Sequence, residues 1–132
     1  MAEKIKFELV SPERLLLDEP VGMVVVPGVE GNFGVLAGHA PVIAAVRPGV
    51  IEVYENGAVT QRIFVGGGFA EVTAERVTVL AEDAMPVSEI NREATQKAVQ
   101  DLTDRLSVAD PDERALLTQR LAVAQAKLAA AA

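Results

Sequence analysis

Residues 50–65 read Val50-Ile51-Glu52-Val53-Tyr54-Glu55, then Asn56-Gly57, then Ala58-Val59-Thr60-Gln61-Arg62-Ile63-Phe64-Val65. Asn56 and Gly57 both tolerate positive φ, which a type I′ turn requires, and that turn's twist suits two paired strands. Val50, Glu52 and Tyr54 alternate with Ile51, Val53 and Glu55, the period of a strand with one face covered. The stretch is a β-hairpin.

The same grammar extends in both directions. Upstream, Ile5, Phe7 and Leu9 alternate with Lys6, Glu8 and Val10 until Ser11-Pro12-Glu13 interrupts them. Leu15 to Leu17 is a short apolar run ended by Asp18-Glu19-Pro20. Val21 to Val26 is nearly continuous and apolar, as in a strand covered on both faces, and Pro27-Gly28 is expected to stop it. A glycine-punctuated loop, Gly28 to Gly34, precedes Val35-Leu36. Gly38-His39-Ala40-Pro41 turns the chain into Val42 to Val46, and Pro48-Gly49 into the hairpin. Downstream, Gly66-Gly67-Gly68 bends the chain sharply, and Phe69–Thr73 and Val77–Ala81 form another hairpin. Many short strands with turn signals between them predict an antiparallel β-sandwich of about ten strands over residues 1–86.

After Pro86 the period changes. Ile90, Ala94, Ala98, Leu102 and Leu106 repeat every four residues, one face of a helix with Ser88 as N-cap. Asp110 caps a second helix, with Pro111 at its first position and Glu113 three residues on. That helix shows Leu117, Leu121, Ala124 and Leu128 on one stripe. The connector at Ser107-Val108-Ala109 is short, so residues 87–132 are expected to form an antiparallel two-helix hairpin. Both stripes are rich in Ala, which buries little area, so the hairpin is expected to detach readily.

Composition excludes several functions. The 132 residues hold no Cys, one His, one Tyr and no Trp. Disulfides, zinc–thiolate sites and cysteine nucleophiles are ruled out. The net charge is −7, and residues 1–87 contribute −6 of it (6 basic, 12 acidic groups). Nucleic acid is a poor partner, because phosphate contacts need clustered Lys and Arg. The charged N-terminus has no apolar run behind it, so a signal peptide is not expected. No apolar run reaches the ~20 residues of a membrane span, so any membrane role runs through a partner.

No candidate chemistry survives inspection. His39 has no second His for a zinc motif and no nucleophile-elbow Ser, so it reads as a turn or interface residue. Gly66-Gly67-Gly68 lacks the Lys-Ser/Thr ending of a phosphate loop and reads as a bend. Glu82 and Asp83 are neighbours and point apart, unlike a glycosidase pair. The second helix carries Arg114, Arg120 and Lys127 with no acidic residue from Arg114 onward. That is a solvated face, or a weak contact strip for an acidic partner.

Several segments together resemble the epsilon subunit of F-type ATP synthase. Val10-Ser11-Pro12-Glu13 resembles the family's V-S-P/A-E opening. Gly31 to Gly34, Leu36 and Gly38-His39-Ala40-Pro41 resemble its EGxxGxxxGHAP segment. Arg47-Pro48-Gly49 resembles its KPG turn, with Arg for Lys. Gly66-Gly67-Gly68-Phe69-Ala70-Glu71-Val72 resembles its GGxxEV strand. The resemblance implies a non-catalytic rotor subunit in the central stalk, coupling the rotating membrane ring to ATP synthesis in the head. It implies a peripheral place at the cytoplasmic face of a bacterial inner membrane.

Site residues follow from the same resemblance. Glu30, Gly31 and Asn32 are expected toward the polar loops of the c-ring, with Asn32 where some members are acidic. Gly38, His39, Ala40 and Pro41 are expected near the gamma subunit. The family's ATP-sensing motif, Ile/Leu-Asp-x-x-Arg-Ala, falls on Ile90 to Thr95, where Asn91, Ala94 and Thr95 replace Asp, Arg and Ala. Arg92 lies two residues before the missing arginine, and ATP binding is expected to be weak or absent. No other cofactor is expected. Arg114, Arg120 and Lys127 form a thin strip toward the alpha/beta head, so inhibition of hydrolysis is expected to be modest. The Pro86–Ser88 boundary would then be a hinge.

One competing reading belongs to another class: a stand-alone β-sandwich ligand-binding protein with a helical lid. It needs a cavity with converging polar groups, and the apolar strand faces offer few. A stand-alone hydrolase ranks below it, with no nucleophile–base pair in view.

Overall fold

A computed structural model describes residues 3–131. Ten strands come first: β1 Ile5–Val10, β2 Leu15–Val21, β3 Met23–Gly28, β4 Gly31–Val35, β5 Val42–Val46, β6 Gly49–Glu55, β7 Ala58–Val65, β8 Gly68–Val72, β9 Arg76–Ala81 and β10 Met85–Pro86. A single 3-10 turn, Val87–Glu89, leads to helices α1 Arg92–Ser107 and α2 Pro111–Ala131.

The strands form one curled sheet in the order β10-β7-β6-β3-β5-β8-β9-β1-β2, with β4 also on β3. The curl folds β3, β4, β6, β7 and β10 over β5, β8, β9, β1 and β2. The two layers meet at a corner where Gly28 pairs with Val46. Across the opposite, open seam the Gln61 amide donates to the Glu19 carboxylate. Pairing is antiparallel except between β1 and β9, which run parallel.

Period two places the core. Ile5, Phe7 and Leu9 of β1 meet Val77 and Val79 of β9 and Val24, Val26, Val35, Ile51, Val53 and Val65 from the other layer. Each such side chain contributes about 1.5–3 kcal/mol by leaving water. Phe7 is fully buried, and Phe7→Ala would cost about 3–5 kcal/mol through lost area and a cavity.

Some boundaries move from the sequence reading. Leu15–Leu17 and Val21 belong to one strand, because Pro20 sits on the free edge of β2, where no N–H is needed. The strand expected to end at Pro27 continues to Gly28, and Gly31 to Gly34 is strand rather than loop. Only Val29 and Glu30 remain between Gly28 and its partner Gly31. Gly28 has no room for a Cβ, which would lie 2.7 Å from the Gly31 carbonyl oxygen, and Gly31 adopts φ +134°. The Asn56-Gly57 turn has φ values of 53° and 80°, as a type I′ turn requires. Ser88 lies in the 3-10 turn, and the α1 cap is Asn91, whose Oδ1 accepts from the Ala94 N–H at 2.9 Å. Asp110 caps α2 as expected, accepting from Glu113 N–H at 3.0 Å.

The inward face of α1 is Thr95, Val99, Leu102 and Leu106, not the expected stripe through Ala94 and Ala98, which are exposed. On α2, Leu117 and Ala124 are buried and Leu121 and Leu128 half-buried. The hairpin is docked. Phe64 points away from the core that its neighbours Ile63 and Val65 enter, yet it is fully buried, because α2 packs on that face against β6, whose Val50 is registered with Phe64. Val123 of α2 sits 3.3 Å from where a Cβ on Gly66 would be, so glycine there lets helix and sheet close up. Lys127 pairs with Asp83 at 3.5 Å.

Candidate functional site

The residues singled out above fall in three places. Glu30 and Gly31 lie at the β3–β4 turn, and both are exposed. Asn32 is not free beside them. Its Oδ1 accepts from Arg47 Nη2 at 2.6 Å, while Arg47 Nη1 donates to the Gly28 carbonyl. Two backbone bonds tie the same turn to β5: Val29 N–H to Ala45 O at 3.0 Å and Arg47 N–H to Pro27 O at 2.9 Å.

Gly38, His39, Ala40 and Pro41 lie at the other end of the sandwich, past the far end of β4. Gly38 takes φ +88° and donates its N–H to Ala74 O at 2.7 Å, which fixes the loop against the β8–β9 turn. His39 is half-buried, and its Nδ1 lies 2.7 Å from Ala40 O.

Ile90, Asn91 and Arg92 lie where the chain enters α1. The Asn91 side chain is spent on its cap, and Arg92 is exposed on the first helical turn. A groove of about 370 Å³ runs between hairpin and sandwich, lined by Asp83, Glu89, Asn91, Thr95, Arg120 and Lys127 among others. Arg120 and Lys127 are seven residues apart and share one face of α2, toward the sandwich. Arg114 lies on a different face, its guanidinium donating to Ala109 O at 3.3 Å. The three cations do not form one continuous strip while the hairpin is docked.

Sequence reasoning missed one surface. Across the outer face of the β5-β8-β9-β1-β2 layer, registered partners share a side. One row reads Ala45, Phe69, Leu80, Val10 and Leu15. Phe69 is 59%, Leu80 55% and Leu15 53% exposed, and Ile43, one outward position along β5, is 72% exposed. The signal was present: Val42–Val46 and Val77–Ala81 are apolar or uncharged at every position, more than one buried face requires.

Comparison with known proteins gives this geometry a context. The family model described as "ATP synthase, Delta/Epsilon chain, beta-sandwich domain" matches residues 4–87. The ATP synthase epsilon chain of Rhodospirillum rubrum is 53% identical over 131 residues, covering 98% of each chain. This chain belongs to the delta/epsilon-chain family of ATP synthase. The epsilon chain of Paramagnetospirillum magneticum is 51% identical over 133 residues and the full length of both. Among solved structures, a chain of the Euglena gracilis mitochondrial ATP synthase OSCP/F1/c-ring assembly superposes with a TM-score of 0.84 and 28% identity, over 98% of this chain and 82% of that one. A chain of the Tetrahymena thermophila mitochondrial ATP synthase central stalk/c-ring shares the fold, with a TM-score of 0.71 and 14% identity over 99% and 98%. Epsilon chains are non-catalytic subunits of a rotary enzyme, so the row on the outer face, not a reaction centre, is the feature to explain.

Proposed function

We propose that this chain is a central-stalk subunit of a rotary ATP synthase. It couples proton-driven rotation of the membrane ring to ATP synthesis in the catalytic head. The observation that carries this reading is the exposed apolar row Phe69–Leu80–Val10–Leu15. A face of adjacent large apolar side chains marks a protein interface. The occupant is the gamma subunit. The Gly38–Pro41 loop feeds directly into β5, whose outward Ile43 and Ala45 run on into the row, so loop and row make one continuous contact.

The Glu30–Gly31–Asn32 turn, at the opposite end, faces the polar loops of the c-ring. The chain thereby bridges two rotor components without doing chemistry. Its place is peripheral, at the cytoplasmic face of a bacterial inner membrane. Among the described residues no helix is long and apolar enough to cross one.

The hairpin, residues 87–132, is the regulatory part, and the 3-10 turn after Pro86 is its hinge. Docked, it keeps Lys127 on Asp83; extended, it would offer Arg114, Arg120 and Lys127 to the acidic alpha/beta head. Three cations on two faces support only modest inhibition. Nucleotide binding is weak or absent: Asn91 is committed to its cap and no arginine stands at position 94. Nucleic acid is not a partner of a chain with net charge −7.

A pull-down with tagged chain tests the reading. Gamma should co-purify with it. A self-sufficient monomer that ignores gamma would sink the proposal and revive the lidded ligand-binding alternative.

A further inference from the structure

The β3–β4 turn is held more firmly than a two-residue turn needs. Gly28 and Gly31 already set its backbone, and β5 holds it through two backbone bonds. Arg47 adds a third restraint. Its guanidinium spans from the Gly28 carbonyl on one strand to the Asn32 side chain on the other. Glu30, between these anchors, is exposed and makes no ion pair among the described residues.

We propose that Arg47 is a positioning residue: it clamps the β3–β4 turn so that the Glu30 carboxylate, and not Asn32, is presented as the turn's recognition group. This rests on the reading that the turn faces the c-ring. A planar guanidinium reaches two acceptors at a fixed angle, whereas an ammonium is a single point charge. The clamp takes one acceptor position of the neutral Asn32 oxygen, whereas the Glu30 carboxylate keeps its full charge without an ion pair among the described residues. Arg47 also places a positive charge inside the turn, which leaves the projecting carboxylate as its outermost charge.

The test has two arms. In the free chain, amide exchange at Val29 and Arg47 reports local opening of the turn. Arg47→Ala should speed it about tenfold, Arg47→Lys by less, and global melting should hold, since Arg47 is exposed. In the second arm, the chain in complex with gamma is bound to detergent-solubilised c-ring. Arg47→Ala should weaken docking about tenfold, Glu30→Gln should weaken it similarly, and the double variant should lose little more, because both changes act on one group.

Unchanged exchange in Arg47→Ala overturns the clamp. Faster exchange with docking lost only in Glu30→Gln overturns the positioning role and leaves the ring-facing reading intact. Docking untouched by either single variant removes the ring-facing reading, and the proposal with it. Additive losses in the double variant show Arg47 acting independently of Glu30 and also overturn it.

Discussion

Phe69→Ser should detach the chain from gamma without unfolding it. Phe69 points outward from β8 and is 59% exposed. A phenylalanine presents roughly 200 Å² of surface, so about 120 Å² is available for a partner to cover. At ~25 cal/mol per Å² that area is worth about 3 kcal/mol. Each 1.4 kcal/mol is tenfold, so full cover corresponds to roughly a 100-fold loss in affinity. Incomplete cover lowers the figure, and about tenfold is the floor that still marks an interface centre. The folded chain should barely respond, because an outward strand position contributes at most about 1 kcal/mol through propensity. Titration calorimetry against isolated gamma gives the affinity, and a thermal melt checks the fold. The loss should also be insensitive to salt, since apolar contact is not screened as charge pairs are. An affinity within threefold of wild type, with an unchanged melt, would refute the assignment of the outer row to gamma.

Four further outcomes follow from the same structure. Deleting residues 88–132 should leave coupling intact and change ATP hydrolysis little in the assembled enzyme; a many-fold rise in hydrolysis would contradict the modest role given to the hairpin. The same deletion uncovers Phe64, which should lower the sandwich's stability by about 2 kcal/mol in a denaturant titration. Glu55 is held below its usual 4.5 by the Lys4 ammonium and the Gly22 N–H, both of which favour its charged form. Its stabilising contribution is therefore present above pH 4.5 and lost as pH falls through the lower folded value. Glu55→Gln should flatten that acid limb of a urea-stability profile, and an unaltered profile would remove Glu55 from the account. A millimolar ATP titration followed by NMR should leave the Asn91 and Arg92 amides nearly unmoved; strong saturable shifts there would overturn the reading of the degraded motif.

Much of the fold was legible because the sandwich layers obey period two. Ile5, Phe7 and Leu9 alternate, and Asn56-Gly57 names its own turn. The errors have local causes. Pro20 suggested a break, but a free edge tolerates a residue without an N–H. Gly31 and Gly34 suggested a loop, but in β4 they are strand residues, Gly31 needing only its left-handed φ. On α1, Ala94 and Ala98 drew the stripe one residue off its true centre at Thr95 and Val99, because alanine marks helix as readily on an exposed face as on a buried one. The site was only partly legible. The Glu30 turn and the His39 loop are proposed as contacts from resemblance alone, whereas the Arg47 clamp joins residues 15 and 19 apart, a pairing that only register creates. The apolar row also depends on register, which lines up Phe69, Leu80, Val10 and Leu15 from four strands.

The chain contains no cysteine, so one introduced thiol is its only thiol. A photoactivatable cross-linker placed on Leu80→Cys, and separately on Glu30→Cys, in the assembled synthase reads both proposed contacts. Leu80→Cys should attach to gamma and Glu30→Cys to the c-ring. Failure of Leu80→Cys to reach gamma, in a complex that still retains the chain, would contradict the claim that this outer face seats it on the rotor.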